Sequence, residues 1–300
     1  MRVLVAGATG RLGRELVRQL KESGYFVRTL GRDAAKLRSV CPSADESVAL
    51  DAFKLPELLR ACEGMEHLVS CVGASVIPTV WHGRSSFTQI DLSANLNLIE
   101  AAEAQGVRRF IYISVFTDGK LQENDFVRGH EQVVERLRAS TLEYGVARPT
   151  GFFSSLVQIM REPSMGLLPQ YRSGEARTNP IHEADLAAFC IDLLQAEDRR
   201  QERNVGGPEV LTRRQIADLV VRNGNRGGPV FQVPVGALRM GSLALSPFNR
   251  RVSQLMAFIA DVLSSDFVAP QYGVRTLAQY LGTERGSTHG PNAHTGSTSA

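Results

Sequence analysis

The stretch VLVAGATGRLGREL near the start of the chain constrains the fold more than any other feature. It places three glycines, at the spacing GxxGxxG, between a short apolar run and a segment with helical periodicity. Glycines there permit a tight turn and close backbone approach, while the next helix offers N–H donors and the positive end of its dipole. A strand, a glycine turn and a helix in this order predict a dinucleotide diphosphate site, against the alternative of a purely structural turn. The loop residues expected to line the diphosphate are Gly7, Thr9, Gly10, Arg11, Leu12 and Gly13.

Apolar runs alternate with helical segments through the first half of the chain. RVLVAG, YFVRTLGR, HLVSCVGA and RRFIYIS are each followed by a segment with helical spacing. Runs such as VLVAG and FIYIS are apolar throughout, as strands buried on both faces are. Repeated βα units of this kind predict an α/β fold, a doubly wound parallel sheet of the Rossmann type with right-handed crossovers. Gly24 and Gly106 are expected to end the first and fourth helices.

The rhythm weakens after Pro149, where loop-rich segments separate the helical patterns. We expect residues 1–160 to form a nucleotide-binding Rossmann core. Residues 161–283 are expected to supply the remaining Rossmann elements and a smaller, mainly helical subdomain on the substrate side. Residues 284–300 are small, polar and without periodicity, which predicts a disordered tail.

Composition argues against several classes of function. The net charge of +3 is too small and too dispersed to indicate a nucleic-acid partner. The cysteines Cys41, Cys62, Cys71 and Cys190 lack CxxC pairing and accompanying histidines, so neither a metal site nor a disulfide framework is expected. No apolar window reaches the roughly 18 residues of a membrane span. These features favour a cytoplasmic protein without metal, and a glycine turn follows the first apolar run where an export signal would have a cleavage site.

The end of the second strand indicates which dinucleotide is favoured. A carboxylate there would bind the ribose hydroxyls of NAD, but this chain has Arg32, and a guanidinium can pair with a 2′-phosphate. Asp33 is expected to cap the following helix instead. Arg32, helped by Lys36 and Arg11, therefore favours NADP(H) over NAD(H), with a solvated surface arginine as the alternative.

Other strand ends are expected to line the rest of the cofactor, because open α/β sheets bind ligands at the carboxyl ends of their strands. After the third strand, Asp51 and Ala52 are placed to face the adenine edge. The candidates beneath the adenine-side ribose, after the fourth strand, are Cys71, Val72 and Gly73. The candidates near the nicotinamide, after the sixth strand, are Pro149, Gly151 and Phe152, with core packing as the alternative for the phenylalanine.

Six segments together resemble the short-chain dehydrogenase/reductase superfamily, and within it the atypical NmrA-like, NAD(P)H-binding branch. The resemblance covers about residues 1–283 and rests on GATGRLG, TLGRDAAKL, RFIYIS, LRASTLEYGVARPTGFF, NPIHEADLA and NVGGPEVLT, in the expected order. It implies a Rossmann domain that binds NADP(H). It also implies reductase or epimerase-like chemistry in some members and cofactor sensing without turnover in others.

The pentapeptide FVRGH departs from the superfamily pattern. Members carry Tyr-x-x-x-Lys on the helix after strand five, where the tyrosine donates a proton and the lysine holds the nicotinamide ribose. The matching positions here are Phe126 and His130, which lie four apart on one helix face. Phenylalanine cannot donate a proton, so the resemblance excludes the tyrosine mechanism at that position. His130 is a ribose anchor or general acid, or else a structural histidine.

Ser114, at the end of strand five, is the second catalytic candidate, with a serine that is hydrogen-bonded only to the backbone as the alternative.

Two functions stay open. The first is an NADP(H)-dependent oxidoreductase that acts on a small hydrophobic carbonyl, enone or similar acceptor, with the proton supplied by His130, Ser114 or water. The second is a non-catalytic NADP(H)-binding protein that senses redox state or serves regulation or assembly. A homo-oligomer or a protein partner is compatible with either.

Overall fold

The computed structural model describes residues 1–51, 54–73, 87–119, 121, 124–161, 175–223, 235–247 and 249–287. Ala52, a candidate for the adenine edge, lies outside the described residues. The strands are β1 Arg2–Ala6, β2 Phe26–Gly31, β3 Glu46–Ala49, β4 His67–Ser70, β5 Arg109–Ile113, β6 Glu143–Pro149, β7 Arg177–Thr178, β8 Arg200–Val205 and β9 Leu211–Thr212. The helices are α1 Arg11–Glu22, α2 Ala34–Val40, α3 Leu55–Cys62, α4 Phe87–Ala104, α5 Asp125–Arg138, α6 Phe153–Arg161, α7 Glu183–Gln195, α8 Arg213–Asn223, α9 Val235–Leu245, α10 Arg250–Ser264 and α11 Leu277–Ser287.

Seven of the strands form one sheet in the order β3-β2-β1-β4-β5-β6-β8. Each of its pairings is parallel. The winding direction reverses between β1 and β4, and in open α/β sheets ligands bind beside such a reversal, outside the carboxyl ends of the strands. The expected doubly wound parallel fold is confirmed.

Helices cover both faces of this sheet, because neighbouring residues of the central strands point to opposite sides. In β1, Val3 and Val5 enter the layer formed with α1 and α7. Leu4 and Ala6 enter the opposite layer, formed with α3, α4 and α5. Burial on both sides is the reason that such a strand is apolar at every position.

The later segments build a smaller, mainly helical region beside the carboxyl edge of the sheet. β7 and β9 pair antiparallel, and α6, α8 and α11 share a small apolar cluster that contains Phe153, Ile216 and Leu281. Helix α11 continues to Ser287, so residues 284–287 are helical where the sequence predicted the start of the tail. Within the described ranges, none of the helices combines the length and apolar character needed to cross a membrane.

Asn179 joins the end of the sheet to the C-terminal segment. Its side chain is fully buried, and its Nδ2 donates to the carbonyls of Gly207 at 3.2 Å and Ala269 at 2.8 Å. The backbone N–H of Ala269 donates back to Asn179 Oδ1 at 3.0 Å. One amide side chain therefore fixes two chain segments that are far apart in sequence.

Asn179→Ala is expected to lower the free energy of unfolding by about 2–4 kcal/mol, because it leaves several buried backbone groups without partners. Urea denaturation would measure the loss. Asn223→Ala is the matched control, since its Nδ2 donates at 2.8 Å to Leu219 within α8 and its removal should cost less than about 1 kcal/mol. Equal losses in the two variants would contradict this role of Asn179.

Candidate functional site

The loop between β1 and α1 leaves no room for a side chain at two of its glycines. Gly7 has a φ of 76°, and a Cβ at this position would lie 2.7 Å from the carbonyl oxygen of Cys71. A Cβ at Gly13 would lie 2.5 Å from the Gly7 oxygen and 2.7 Å from the Cα of Ala8. Because these neighbours are backbone atoms, they cannot move aside as a flexible side chain could. The loop is packed as closely as a backbone cradle for a diphosphate requires.

Helix α1 begins directly after this loop. Gly10 is its N-cap residue, and the N–H of Gly10 donates to the Gly7 carbonyl at 3.0 Å. Gly10 has no side chain to cap the helix, and the first turn contains no acidic residue. The first amides of an α-helix have no intrahelical acceptor, so this N-terminus can donate to an anion. Thr9 lies half-buried beside it, and Leu12 is buried beneath it.

The residues at the end of β2 lie beside the glycine loop, since the backbone N–H of Gly7 donates to the Leu30 carbonyl at 3.1 Å. Arg32 is exposed there, and Asp33 Oδ1 accepts from the backbone N–H of Lys36 at 3.0 Å. The expected capping of α2 by Asp33 is therefore confirmed. Arg11 instead donates from Nη1 to the hydroxyl of Tyr280 at 2.9 Å, which directs its guanidinium toward α11.

A buried polar pair holds the chain beyond β4. Ser70 Oγ donates to Asn95 Oδ1 at 2.6 Å, and Asn95 Nδ2 donates to the Val72 carbonyl at 3.2 Å. Asn95 is fully buried on α4 and was not among the sequence candidates, although a polar residue within an apolar helical stretch was a visible signal. Cys71 and Val72 are half-buried and Gly73 is exposed, so this segment presents backbone at the carboxyl edge.

On the other side of β1, Asp51 is half-buried just after β3, and its carbonyl accepts from the N–H of Lys54 at 2.9 Å. It lies at the same sheet edge as the glycine loop, as the sequence predicted, because β3 and β1 run parallel with β2 between them. The contact of Asp51 with the adenine edge stays a prediction.

Ser114 is buried at the carboxyl end of β5. It is 5% exposed, and its backbone N–H donates to the Ala147 carbonyl at 2.8 Å. Among the residues that the structure describes, its Oγ has no hydrogen-bond partner. Buried hydroxyls in native proteins are nearly always hydrogen-bonded, so an orphan at a ligand-binding edge fits a group that accepts from or donates to a bound molecule.

His130 lies on α5 and contacts β5. Its Nδ1 is 2.7 Å from the hydroxyl oxygen of Tyr112, and its ring packs edge-on against Phe126 with the ring centroids 4.7 Å apart. Phe126 in turn contacts Phe258 of α10, at 5.3 Å between ring centroids. The half-buried pair at positions 126 and 130 therefore lies between β5 and α10.

Burial lowers the pKa of His130 to about 4, and the Arg148 guanidinium also lowers it, while Glu131 raises it. The pKa of His130 therefore lies well below the ordinary imidazole value. At neutral pH the ring is uncharged, so it can offer one N–H donor but cannot supply the positive charge of a lysine.

Acid should destabilise the protein before its carboxylates titrate. His67 is 1% exposed, and its pKa is also lowered to about 4, chiefly by burial. A histidine whose native pKa lies below its unfolded value near 6.5 binds fewer protons when folded. The stability it contributes is complete above about pH 6.5 and is lost as the pH falls toward about 4.

Between about pH 7.5 and 5, the free energy of unfolding is expected to fall by about 1–2 kcal/mol for each of His67 and His130. Urea denaturation at these two pH values would measure the fall, and His130→Gln and His67→Gln should each reduce it. A fall of unchanged size in both variants would contradict the assignment.

Two backbone carbonyls, one at the end of β6 and one just after it, accept hydrogen bonds from backbone N–H groups of this chain. The carbonyl of Pro149 accepts from Phe116 N at 3.1 Å, and that of Gly151 accepts from Ile181 N at 2.8 Å. Phe152 is half-buried and bridges to Ile181. Contacts of this segment with a nicotinamide carboxamide stay a prediction. His182 caps α7, since its Nδ1 accepts from Ala184 N at 3.0 Å.

In the part of the chain that the structure describes, no group of three or more His, Cys, Asp or Glu residues is placed to hold a metal ion. The residues gathered at the carboxyl edge are instead glycines, backbone amides, the exposed Arg11 and Arg32, the buried Ser114 hydroxyl and the half-buried His130 imidazole. This donor set suits a large phosphorylated organic ligand.

A protein-family model described as NAD(P)H-binding matches residues 7–197. The match begins at the glycine loop and ends after α7, so it includes most of the parallel sheet and every strand end described above.

Two curated relatives extend the match through most of the chain. The Photosystem II assembly factor Ycf39 of Guillardia theta is 30% identical over 269 residues, which are 88% of this chain and 84% of the relative. The chloroplastic divinyl chlorophyllide a 8-vinyl-reductase of Zea mays is 28% identical over 255 residues, 78% of this chain but 62% of the relative.

Among solved structures, the triphenylmethane reductase of a Citrobacter species in complex with NADP(H) superposes with a TM-score of 0.70. The superposition covers 94% of this chain and 99% of that one at 15% sequence identity. At this identity the likeness shows a shared fold.

Proposed function

This chain belongs to the NAD(P)H-binding family, as the resemblance implied, and we propose that it is an NADP(H)-dependent oxidoreductase of the atypical short-chain type. Its acceptor is a small hydrophobic carbonyl, enone or similar molecule, and its setting is cytoplasmic. The observation that carries the proposal is the orphan hydroxyl of Ser114, buried at the carboxyl end of β5 in the same sheet whose β1 leads into the glycine cradle. The cradle supports cofactor binding, and the orphan hydroxyl supports a second reactant.

Each group then has a defined task. The amides of the glycine loop and of α1 bind the diphosphate, and Arg32 pairs with the 2′-phosphate. A bound NADPH would supply a hydride and become NADP⁺, and the proton that completes the reduction of the acceptor would come from water or through the Ser114 hydroxyl, which water then reprotonates. Ser114 Oγ–H donates to the oxygen of the acceptor and orients it, while the N–H of neutral His130 donates to a ribose hydroxyl. Phe126, in contact with Phe258, helps keep water out of this part of the site.

A second function is favoured by specific observations and stays as the rival. Phe126 cannot donate a proton, and His130 carries no charge at neutral pH. The Guillardia theta relative, which is matched over 84% of its length, is named a Photosystem II assembly factor. In this case the chain binds NADP(H) without turnover and presents its surface to another protein, in assembly or as a redox sensor.

Turnover separates the two functions. Purified protein would be mixed with NADPH and a panel of quinones, enones and aldehydes, and the loss of reduced-nicotinamide absorbance would be followed. Sustained oxidation with any acceptor supports the oxidoreductase. Tight NADPH binding without oxidation across the panel supports the rival, and absence of binding refutes both.

With an active acceptor, Ser114→Ala is expected to lower kcat/KM by about 3- to 10-fold at unchanged NADPH affinity, because one neutral hydrogen bond to the acceptor is lost. Ser140→Ala is the matched control: Ser140 is also 5% exposed, but it lies just beyond the C-terminal end of α5, and its Oγ donates to the Leu137 carbonyl at 2.6 Å. It should cost stability and leave kcat/KM within about twofold. An equal loss of kcat/KM in both variants would argue against contact between Ser114 and the acceptor.

A further inference from the structure

A tyrosine on the sheet is hydrogen-bonded to the histidine that replaces the superfamily's lysine. The Tyr112 hydroxyl oxygen and His130 Nδ1 are 2.7 Å apart, and the two rings are tilted by 35°. Tyr112 is 1% exposed, and its ring belongs to the apolar layer that β5 forms with α4 and α5. Since packing fixes the ring, its hydroxyl has a fixed position beside α5.

This contact determines which imidazole nitrogen carries the hydrogen. A neutral imidazole has one N–H and one acceptor nitrogen, and the partner of one nitrogen selects the state of the other. A phenol is a better donor than acceptor, whereas an unprotonated imidazole nitrogen is a good acceptor. The Tyr112 hydroxyl therefore donates to Nδ1, and the hydrogen of His130 resides on Nε2.

With its hydrogen on Nε2, His130 presents an N–H donor at the nitrogen that does not contact Tyr112. A lysine there always presents a donor, but an imidazole can present either a donor or an acceptor at its free nitrogen. Ser114 lies two residues beyond Tyr112, just past the end of β5, and the alternation of strand residues places it on the same side of the sheet as Tyr112. We propose that Tyr112 is a positioning residue that holds His130 in its Nε2–H tautomer, as a hydrogen-bond donor toward the nicotinamide ribose. The ribose part of this inference rests on the proposed function.

The tautomer can be tested without any cofactor, by ¹⁵N NMR of the histidine side chains in the full chain at neutral pH. His130→Gln identifies the His130 signals by their loss. In the unaltered protein we expect Nε2 to carry the hydrogen and Nδ1 to be the acceptor nitrogen. In Tyr112→Phe both nitrogen shifts should move toward intermediate values, as in a mixture of tautomers.

Tyr25→Phe is the matched control, because Tyr25 is also buried and its hydroxyl accepts from Gln195 Nε2 at 3.0 Å. It should leave the His130 signals unchanged. Hydrogen on Nδ1 in the unaltered protein, or unchanged His130 signals in Tyr112→Phe, would overturn the proposal. Phenylalanine keeps the ring that packs in the core, and a cooperative thermal transition would establish that the variant is folded.

Binding of NADPH tests the consequence for the site. Tyr112→Phe is expected to weaken NADPH by about 3- to 10-fold. His130→Gln keeps an N–H donor and should bind NADPH within about threefold of the unaltered protein, whereas His130→Phe should not. In the His130→Phe background, which has no N–H donor left to position, adding Tyr112→Phe should have no further effect on NADPH affinity. A merely structural tyrosine would weaken binding equally in both backgrounds.

The two proposals fail separately. If the unaltered protein binds no NADPH, the proposed function fails, and the NMR result still decides the tautomer. If NADPH binds but Nδ1 carries the hydrogen, the positioning role of Tyr112 fails and the cofactor site stands.

Discussion

Gly7→Ala is expected to reduce NADPH affinity by more than about 100-fold and to lower the free energy of unfolding by about 2–4 kcal/mol. Two effects add at this position. The φ of 76° is strained for any residue with a Cβ, and the new methyl group would meet the Cys71 carbonyl oxygen at 2.7 Å. To relieve the clash, the loop must move away from the end of β4. That movement displaces the backbone amides that would bind the diphosphate.

Gly24→Ala separates the strain from the clash. Gly24 has a φ of 79°, nearly the same as Gly7, but nothing lies within 4 Å of a Cβ built there. Its replacement should cost about 1 kcal/mol of stability and leave NADPH affinity unchanged. Gly13→Ala has the clash without the positive φ, with a Cβ 2.5 Å from the Gly7 oxygen, and should lose affinity as Gly7→Ala does. Calorimetric titration and urea denaturation of the variants would measure both quantities, and full affinity in folded Gly7→Ala would contradict the cradle.

Arg32→Ala is expected to weaken NADPH by about 10- to 100-fold and to change NADH affinity by no more than about twofold. The expected loss corresponds to about 1.5–3 kcal/mol, which is typical of a hydrogen bond between charged partners. NADH has no 2′-phosphate, so removal of the guanidinium should change NADH affinity little.

The control for this variant is Arg38→Ala, which removes an exposed arginine of the neighbouring helix α2. It has the same effect on net charge and should weaken NADPH by less than about twofold. Equal weakening of NADPH and NADH by Arg32→Ala, or equal effects of the two arginines on NADPH, would refute the assignment of the 2′-phosphate to Arg32.

The parts of the fold that could be predicted from the sequence are those with local causes. The order of βα units follows from fully apolar strands and amphipathic helices. Gly24 and Gly106 end helices with φ values of 79° and 68°, as expected from the left-handed conformation that glycine tolerates. Asp33 caps α2 through a hydrogen bond that spans three residues. Each of these features depends on residues that are close together in the chain.

Two elements of the sheet layer are not marked by a local sequence pattern of this kind. β8, RQERNV, is an edge strand that pairs with β6 alone, and its exposed positions are polar, so no apolar run marks it. α3 is only eight residues long, and its N-terminal turn contains a proline. Both elements are stabilised by contacts with distant parts of the chain, which the local sequence does not reveal.

The positions of the site residues along the backbone could be predicted from the sequence, whereas most contacts between their side chains could not. The glycine loop, Arg32 and Ser114 could be chosen because their positions relative to strand ends follow from the fold. The contact between Tyr112 and His130 could not, since it depends on how α5 is set against β5. The low pKa of His130 likewise follows from burial in that contact. Arg11 meets Tyr280 across 269 positions of sequence, which no local motif indicates.

The most direct measurement is a calorimetric titration of the folded protein with NADPH and with NADH. The predicted result is saturable binding of NADPH, at least about tenfold tighter than that of NADH, consistent with one charged phosphate contact. The absence of binding heat from either nucleotide over a range of temperatures, in protein that unfolds cooperatively, would contradict the dinucleotide site and every function built on it.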